Sequence, residues 1–185
     1  MRPLAPISYL FIYILTLGLS FAAPSENISV NDVSVSVADK KIIVDCEVQY
    51  GLDEQVKEAL RNGIEMMFIL EIELKHDNPY WIDQQLSYLQ REFKIKYHAL
   101  SKQYVMTETD SHVERSFPDL YSAFYFQKRL HSAELVSVES LDLDQEYYIR
   151  ARARLVSEKL PLPLRIKSYV STSWRASSGW TVWPM

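Results

Sequence analysis

One cysteine and four glycines in 185 residues set the first exclusions. Cys46 alone cannot close an intramolecular disulfide or supply a thiolate zinc cluster. So few glycines leave no place for a collagen-like repeat or a flexible linker. Basic charge is also short: 20 lysines and arginines face 24 acidic side chains, for a formal net charge of −4. A chain of this balance lacks the basic footprint of sequence-independent nucleic-acid binding, which removes DNA and RNA as partners. No G-x-S-x-G nucleophile turn occurs. The four histidines, His76, His98, His112 and His131, include no closely spaced pair of the kind that holds a metal. Beyond the amino terminus no apolar run reaches spanning length, since Ile64 to Leu74 is interrupted by Glu65, Glu71 and Glu73.

The chain does have a 48% hydrophobic and 12% aromatic composition, enough for one packed core. Residues 1–22 have the layout of a secretory leader, with Arg2 at a positive start and an apolar run from Leu10 to Phe21. Ser20 and Ala22 satisfy a small-x-small rule for cutting between Ala22 and Ala23. The alternative is retention as an anchor to the inner membrane, although Tyr9 to Ala23 is 15 residues against the roughly 20 a bilayer core requires. Residues 23–185 are expected to form a single β-rich domain, periplasmic or secreted.

From Ile28 onward the apolar period is two, the mark of strands with one buried face. Val33, Val35 and Val37 alternate with serines up to the Asp39-Lys40 turn. Ile42, Val44, Cys46 and Val48 then alternate with Asp45 and Glu47, so the two segments read as a hairpin. Cys46 falls on the apolar side of that pattern and reads as a buried thiol acting as a small hydrophobe. Val56, Ala59 and Leu60 give a short helix closed by Gly63. Met66, Phe68, Leu70, Ile72 and Leu74 form one face of the strongest strand. Met67 and Ile69 interrupt its polar face, which predicts cover on both sides and a central position.

His76-Asp77-Asn78-Pro79 is expected to turn. Phe93 to Tyr97 and Gln103 to Thr107 read as further strands. Ser116, with Asp119 and Pro118, predicts a helix start, followed by a stripe of Leu120, Ala123, Phe124, Gln127 and Leu130. Leu135 to Leu141 and Tyr147 to Leu155 are strand-like and separated by the acidic turn from Asp142 to Glu146, which reads as solvated rather than calcium-binding. Leu160-Pro161-Leu162-Pro163 is expected to be an extended edge. Arg165 to Thr172 and Trp180 to Trp183 complete a count of about eight strands and two short helices. The fold class is mainly β, an antiparallel β-sandwich-like domain.

Several strings together resemble the bacterial domain-of-unknown-function family 4390, a set of exported or membrane-attached proteins. They are Glu58-Ala59-Leu60 with Gly63-Ile64, Tyr80-Trp81, the run Tyr97-His98-Ala99-Leu100-Ser101-Lys102-Gln103-Tyr104, Leu160-Pro161-Leu162-Pro163, and Trp174 with Trp180. The resemblance spans nearly the whole chain after the leader. It implies a Gram-negative envelope protein of unassigned activity, often encoded near a membrane sensor-kinase pair, and it supplies no catalytic residues. Where the family pattern leads one to expect a basic residue beside the first tryptophan, this chain has Asn78-Pro79-Tyr80.

On the surface, Arg150, Arg152 and Arg154 form a stripe on one strand face. They either meet carboxylates across the sheet or await an anionic partner. Glu71 and Glu73 share a face and could pair with them, or with Lys94 and Lys96. Trp174, Trp180, Trp183 and the tyrosine run around His98 read as core or as a docking surface. The interaction candidates are therefore Arg150, Arg152, Arg154, His98, Trp174, Trp180 and Trp183. With no catalytic, metal or cofactor constellation, the expectation is a non-enzymatic domain that binds an envelope or membrane protein, with peripheral membrane contact as an addition. The alternative is a binder of a lipid-like or other apolar ligand between the sheets, suggested by Met66, Met67 and Phe68.

Overall fold

The structure, a computed structural model, describes residues 28–76, 84–142 and 144–185. The expected leader and cleavage point, the expected turn at Asp77-Asn78-Pro79 and Trp81 lie outside the described residues. Among those described, the chain forms nine strands and three α-helices. The elements run β1 (Ile28–Ala38), β2 (Lys41–Tyr50), α1 (Glu54–Arg61), β3 (Met66–His76), β4 (Gln84–His98), β5 (Gln103–Glu108) and β6 (Glu114–Phe117). They continue with α2 (Leu120–Phe126), β7 (Arg129–Ser137), β8 (Tyr147–Leu155), α3 (Leu162–Val170) and β9 (Thr181–Pro184).

The strands build two antiparallel sheets, β1-β2-β7 and β6-β5-β4-β3-β8-β9, packed as a sandwich. The expected hairpin is β1 and β2, with Ala38 opposite Lys41. Strand β3 lies between β4 and β8 in the larger sheet, which explains its apolar residues on both faces. Met66, Phe68, Leu70, Ile72 and Leu74 enter the main core, while Met67 and Ile69 form a second small cluster with Val156 on the outer face.

Two sheets with one inward face each need large side chains to meet across the gap. Four rings do this. Tyr50 of β2 stacks on Phe124 of α2 at 5.0 Å, Phe68 of β3 stacks on Phe93 of β4 at 5.3 Å, and the two stacks meet edge to face. Met66 and Phe68 are thus filled core, and the space between the sheets at that level is taken by protein. Cys46 is buried on the inner face of β2, which together with the charge of Asp45 pushes its thiol up to about 12.

Helix α1 is capped by Asp53, whose carboxylate accepts from the Gln55 amide at 2.9 Å. It ends at Gly63, where a φ of +80° places the chain in the left-handed region.

Three local expectations are corrected. Ser116 is a strand residue of β6, opposite Val105, and the cap of α2 is Asp119, which accepts from the Ser122 amide at 2.7 Å. Helix α2 ends at Phe126, so Leu130 belongs to β7. The proline segment and Arg165 to Thr172 do not form strands: Pro161 precedes α3, Pro163 sits in its first turn, and the helix runs to Val170.

Candidate functional site

Strand β8 alternates strictly, so Ile149, Ala151, Ala153 and Leu155 go inward while Arg150, Arg152 and Arg154 lie on the outer face of the larger sheet. The register with β3 puts Arg150 opposite Glu73, Arg152 opposite Glu71 and Arg154 opposite Ile69. Arg150 Nε donates to Glu73 Oε2 at 2.7 Å, Arg152 Nε to Glu71 Oε2 at 2.9 Å, and Arg154 Nε to the same Glu71 oxygen at 3.1 Å. Arg154 also reaches Glu158 at 3.6 Å. On the other side of β3, the Tyr88 hydroxyl of β4 donates to Glu71 Oε1 at 3.2 Å.

Both carboxylates are only 7% exposed. Burial by itself would raise the Glu71 carboxyl, but the hydrogen bonds and charges of Arg152 and Arg154 outweigh it and hold its pKa below the ordinary value. Of the two partner sets the sequence allowed, the register selects the arginines. Lys94 instead lies 3.8 Å from Glu65. The stripe is an intramolecular ladder and not a row of free cations.

Trp180 covers part of this ladder. Its ring lies 4.3 Å from Arg150 Cζ and 4.4 Å from Arg152 Cζ. The other sequence candidates lie elsewhere. Trp183 pairs with Ile149 through the backbone and packs half-buried against the core. Trp174 is 2% exposed and belongs to the core, so it presents no surface to a partner. His98 is exposed at the β4–β5 hairpin, opposite Gln103 and close to the fully exposed Leu100. The seven candidates therefore do not converge on one site. Among the described residues no group of three or more His, Cys, Asp or Glu side chains is placed to hold a metal ion.

A surface that the sequence reading missed lies on α2. Ala123 and Phe124 point into the core, which turns Tyr121, Tyr125 and Phe126 outward. Tyr121 is 77% exposed and stacks on Tyr125 at 6.0 Å. Phe126 meets Phe117 of β6 at 5.6 Å, and Arg115 Cζ stands 4.7 Å over its ring. Lys128 Nζ lies 5.8 Å from the Tyr125 ring and 2.7 Å from Glu47. Phe117, Tyr121, Tyr125, Phe126 and Lys128 line a surface hollow of about 490 Å³. The signal was present as Tyr121 and Tyr125, four apart on the helix face complementary to Leu120, Ala123 and Phe124.

No curated protein and no solved structure matches the chain. A family model described as a domain of unknown function, DUF4390, matches residues 25–184, which takes in both sheets, the arginine ladder and the aromatic face of α2, and the chain belongs to that family.

Proposed function

We propose that this chain is a non-enzymatic docking domain of the bacterial envelope, and that its partner is another envelope protein, with the external part of a membrane sensor as the first to test. The observation that carries the reading is the aromatic face of α2. Tyr121 and Tyr125 are exposed as a stacked pair and Phe126 lines the same hollow, with Arg115 over its ring and Lys128 beside Tyr125, on a helix fixed from behind by Phe124. Clustered aromatics with an arginine at their edge are the residue types that dominate binding energy at protein interfaces. Their cost of ordering is low, because tyrosine has few rotatable bonds.

The leader-like sequence of residues 1–22 supports the compartment. The ring cluster of Tyr50, Phe68, Phe93 and Phe124 fills the space an apolar ligand between the sheets would need, which favours surface docking over ligand carriage.

The test is a photo-reactive phenylalanine analogue at Tyr125 in intact envelopes, followed by binding measurements with the purified partner. The expected result is one discrete protein adduct whose affinity falls roughly tenfold or more in Tyr121→Ser with Tyr125→Ser. Adducts to lipid alone, or an affinity unchanged by both substitutions, overturn the reading.

A further inference from the structure

Helix α3 carries apolar side chains on the side away from the protein. Leu164 is half-buried and Ser168 buried, four residues apart on the face that packs inward. The opposite face holds Leu162 and Ile166, each 59% exposed, with Tyr169 at 73% and Val170 at 84%. At 3.6 residues per turn these four form one continuous stripe. Arg165 and Lys167 fall on its two flanks by the same geometry. Lys167 is exposed, while Arg165 is half-buried and donates to the Glu158 carbonyl at 3.4 Å; Lys159 and Arg175, just outside the helix, are exposed. Glu158, just before the helix, is bound to Arg154, and Asp53 accepts from the Ser173 hydroxyl just after it. Two basic residues thus flank an exposed apolar stripe, with two more just beyond its ends in sequence, in a chain whose net charge is negative.

The position of α3 adds a second argument. The described chain begins at Ile28, which pairs with Tyr50 at the end of β2. Three residues on, Asp53 accepts from the Ser173 hydroxyl at 3.0 Å, just past the end of α3. The chain before Ile28 therefore joins the domain at the end that displays α3. The same end carries the β4–β5 hairpin tip, where Leu100 is fully exposed beside Lys102.

From this arrangement we infer that α3 rests on the surface of an anionic phospholipid bilayer, its stripe entering the head-group boundary and its flanking cations meeting lipid phosphates. An exposed apolar stripe edged by lysine and arginine is the pattern of helices that lie in the membrane interface, and a tyrosine ring suits the head-group level. Nine residues make a weak contact, one that orients the domain rather than anchoring it. The α2 face then stays clear of the lipid and open to a protein, but the inference does not depend on what binds there.

The test uses the full chain with a polarity-sensitive dye on Val170→Cys and, as a reference, on Val37→Cys at the opposite end, near the β1–β2 turn. Cys46 is buried and does not compete for the label. Vesicles of phosphatidylcholine with and without phosphatidylglycerol are the probes. The expected result is a blue shift at position 170 with phosphatidylglycerol vesicles, absent at position 37. Arg165→Glu with Lys167→Glu should weaken that response by roughly tenfold or more at low salt. A silent probe at 170, an equal response at 37, or a response independent of lipid charge overturns the inference. So does a shift at 170 that grows with protein concentration in the absence of vesicles, which marks a second copy as the occupant. The Arg165→Glu with Lys167→Glu arm separates this contact from insertion of the apolar residues before Ile28, which does not depend on those two cations.

Discussion

Arg150 stands with its guanidinium carbon 4.3 Å from the centre of the Trp180 ring while its Nε donates to Glu73 at 2.7 Å. One side of the group is thus bound by a carboxylate and another by an aromatic face. Arg152 is held the same way between Glu71 and Trp180. The stripe that reads in sequence as three available cations is largely committed within the protein, and its consequences are for stability before recognition.

Glu71→Ala should remove the shared acceptor of Arg152 and Arg154 and leave two partly buried cations facing each other. Loss of one partner from a fully buried pair costs about 3 to 5 kcal/mol. Both guanidinium groups keep about a quarter of their exposure, so solvent screening reduces the expected loss to roughly 1 to 3 kcal/mol. Urea unfolding measures it, and a midpoint equal to that of the unaltered chain would refute a stabilising ladder. The pH dependence has a definite sign. The folded Glu71 carboxyl lies below its ordinary value, so its contribution is present above the unfolded pKa of about 4.3 and is lost as pH falls through the folded value. Glu71→Gln should therefore flatten the acid limb of the stability curve.

Cys46 should resist thiol reagents in the native protein and react fully in urea. Burial holds its pKa at about 12, so almost no thiolate exists near neutrality. The linkage again has one direction: above the unfolded thiol value of about 8.5 the unfolded chain ionises and the folded one does not. Stability should fall as pH rises from there. Rapid native labelling by Ellman's reagent would contradict the buried geometry.

Phe124→Ala should destabilise by about 3 kcal/mol, because it empties one position of the four-ring cluster and unfastens α2 from the core. Tyr121→Ser, on the exposed face of the same helix, should change stability by no more than about 0.5 kcal/mol. Thermal or urea melts of the two variants separate core from surface on one short element.

Asp119→Ala should cost about 1 kcal/mol through the lost cap on the Ser122 amide, whereas Ser116→Ala should be nearly neutral. A larger effect at Ser116 would restore the capping arrangement that the sequence suggests.

Much of the sandwich is legible residue by residue. Alternation at Ile42, Val44, Cys46 and Val48, and again at Ile149, Ala151, Ala153 and Leu155, reports burial of one strand face wherever the strand sits. Met67 and Ile69 reveal a central strand because apolar residues on both faces need cover on both. Helix α3 was not legible for an equally physical reason. Ile166, Ser168 and Val170 alternate with Lys167 and Tyr169, while Leu164 and Ser168 also repeat at four, so both periods fit and two nearby prolines favoured an extended reading.

Local chemistry along the chain determined which segments extend, which side of each strand is apolar, that Cys46 goes inward, and that Gly63 closes a helix. These depend on neighbours two to four positions away. Only the tertiary structure decided which carboxylates meet Arg150, Arg152 and Arg154, that Trp174 is core while Trp180 lies over arginines, and that Tyr121 and Tyr125 face solvent. Each of those outcomes follows from the register of strands and helices far apart in sequence, and a shift of one residue in β8 against β3 would have turned every arginine inward.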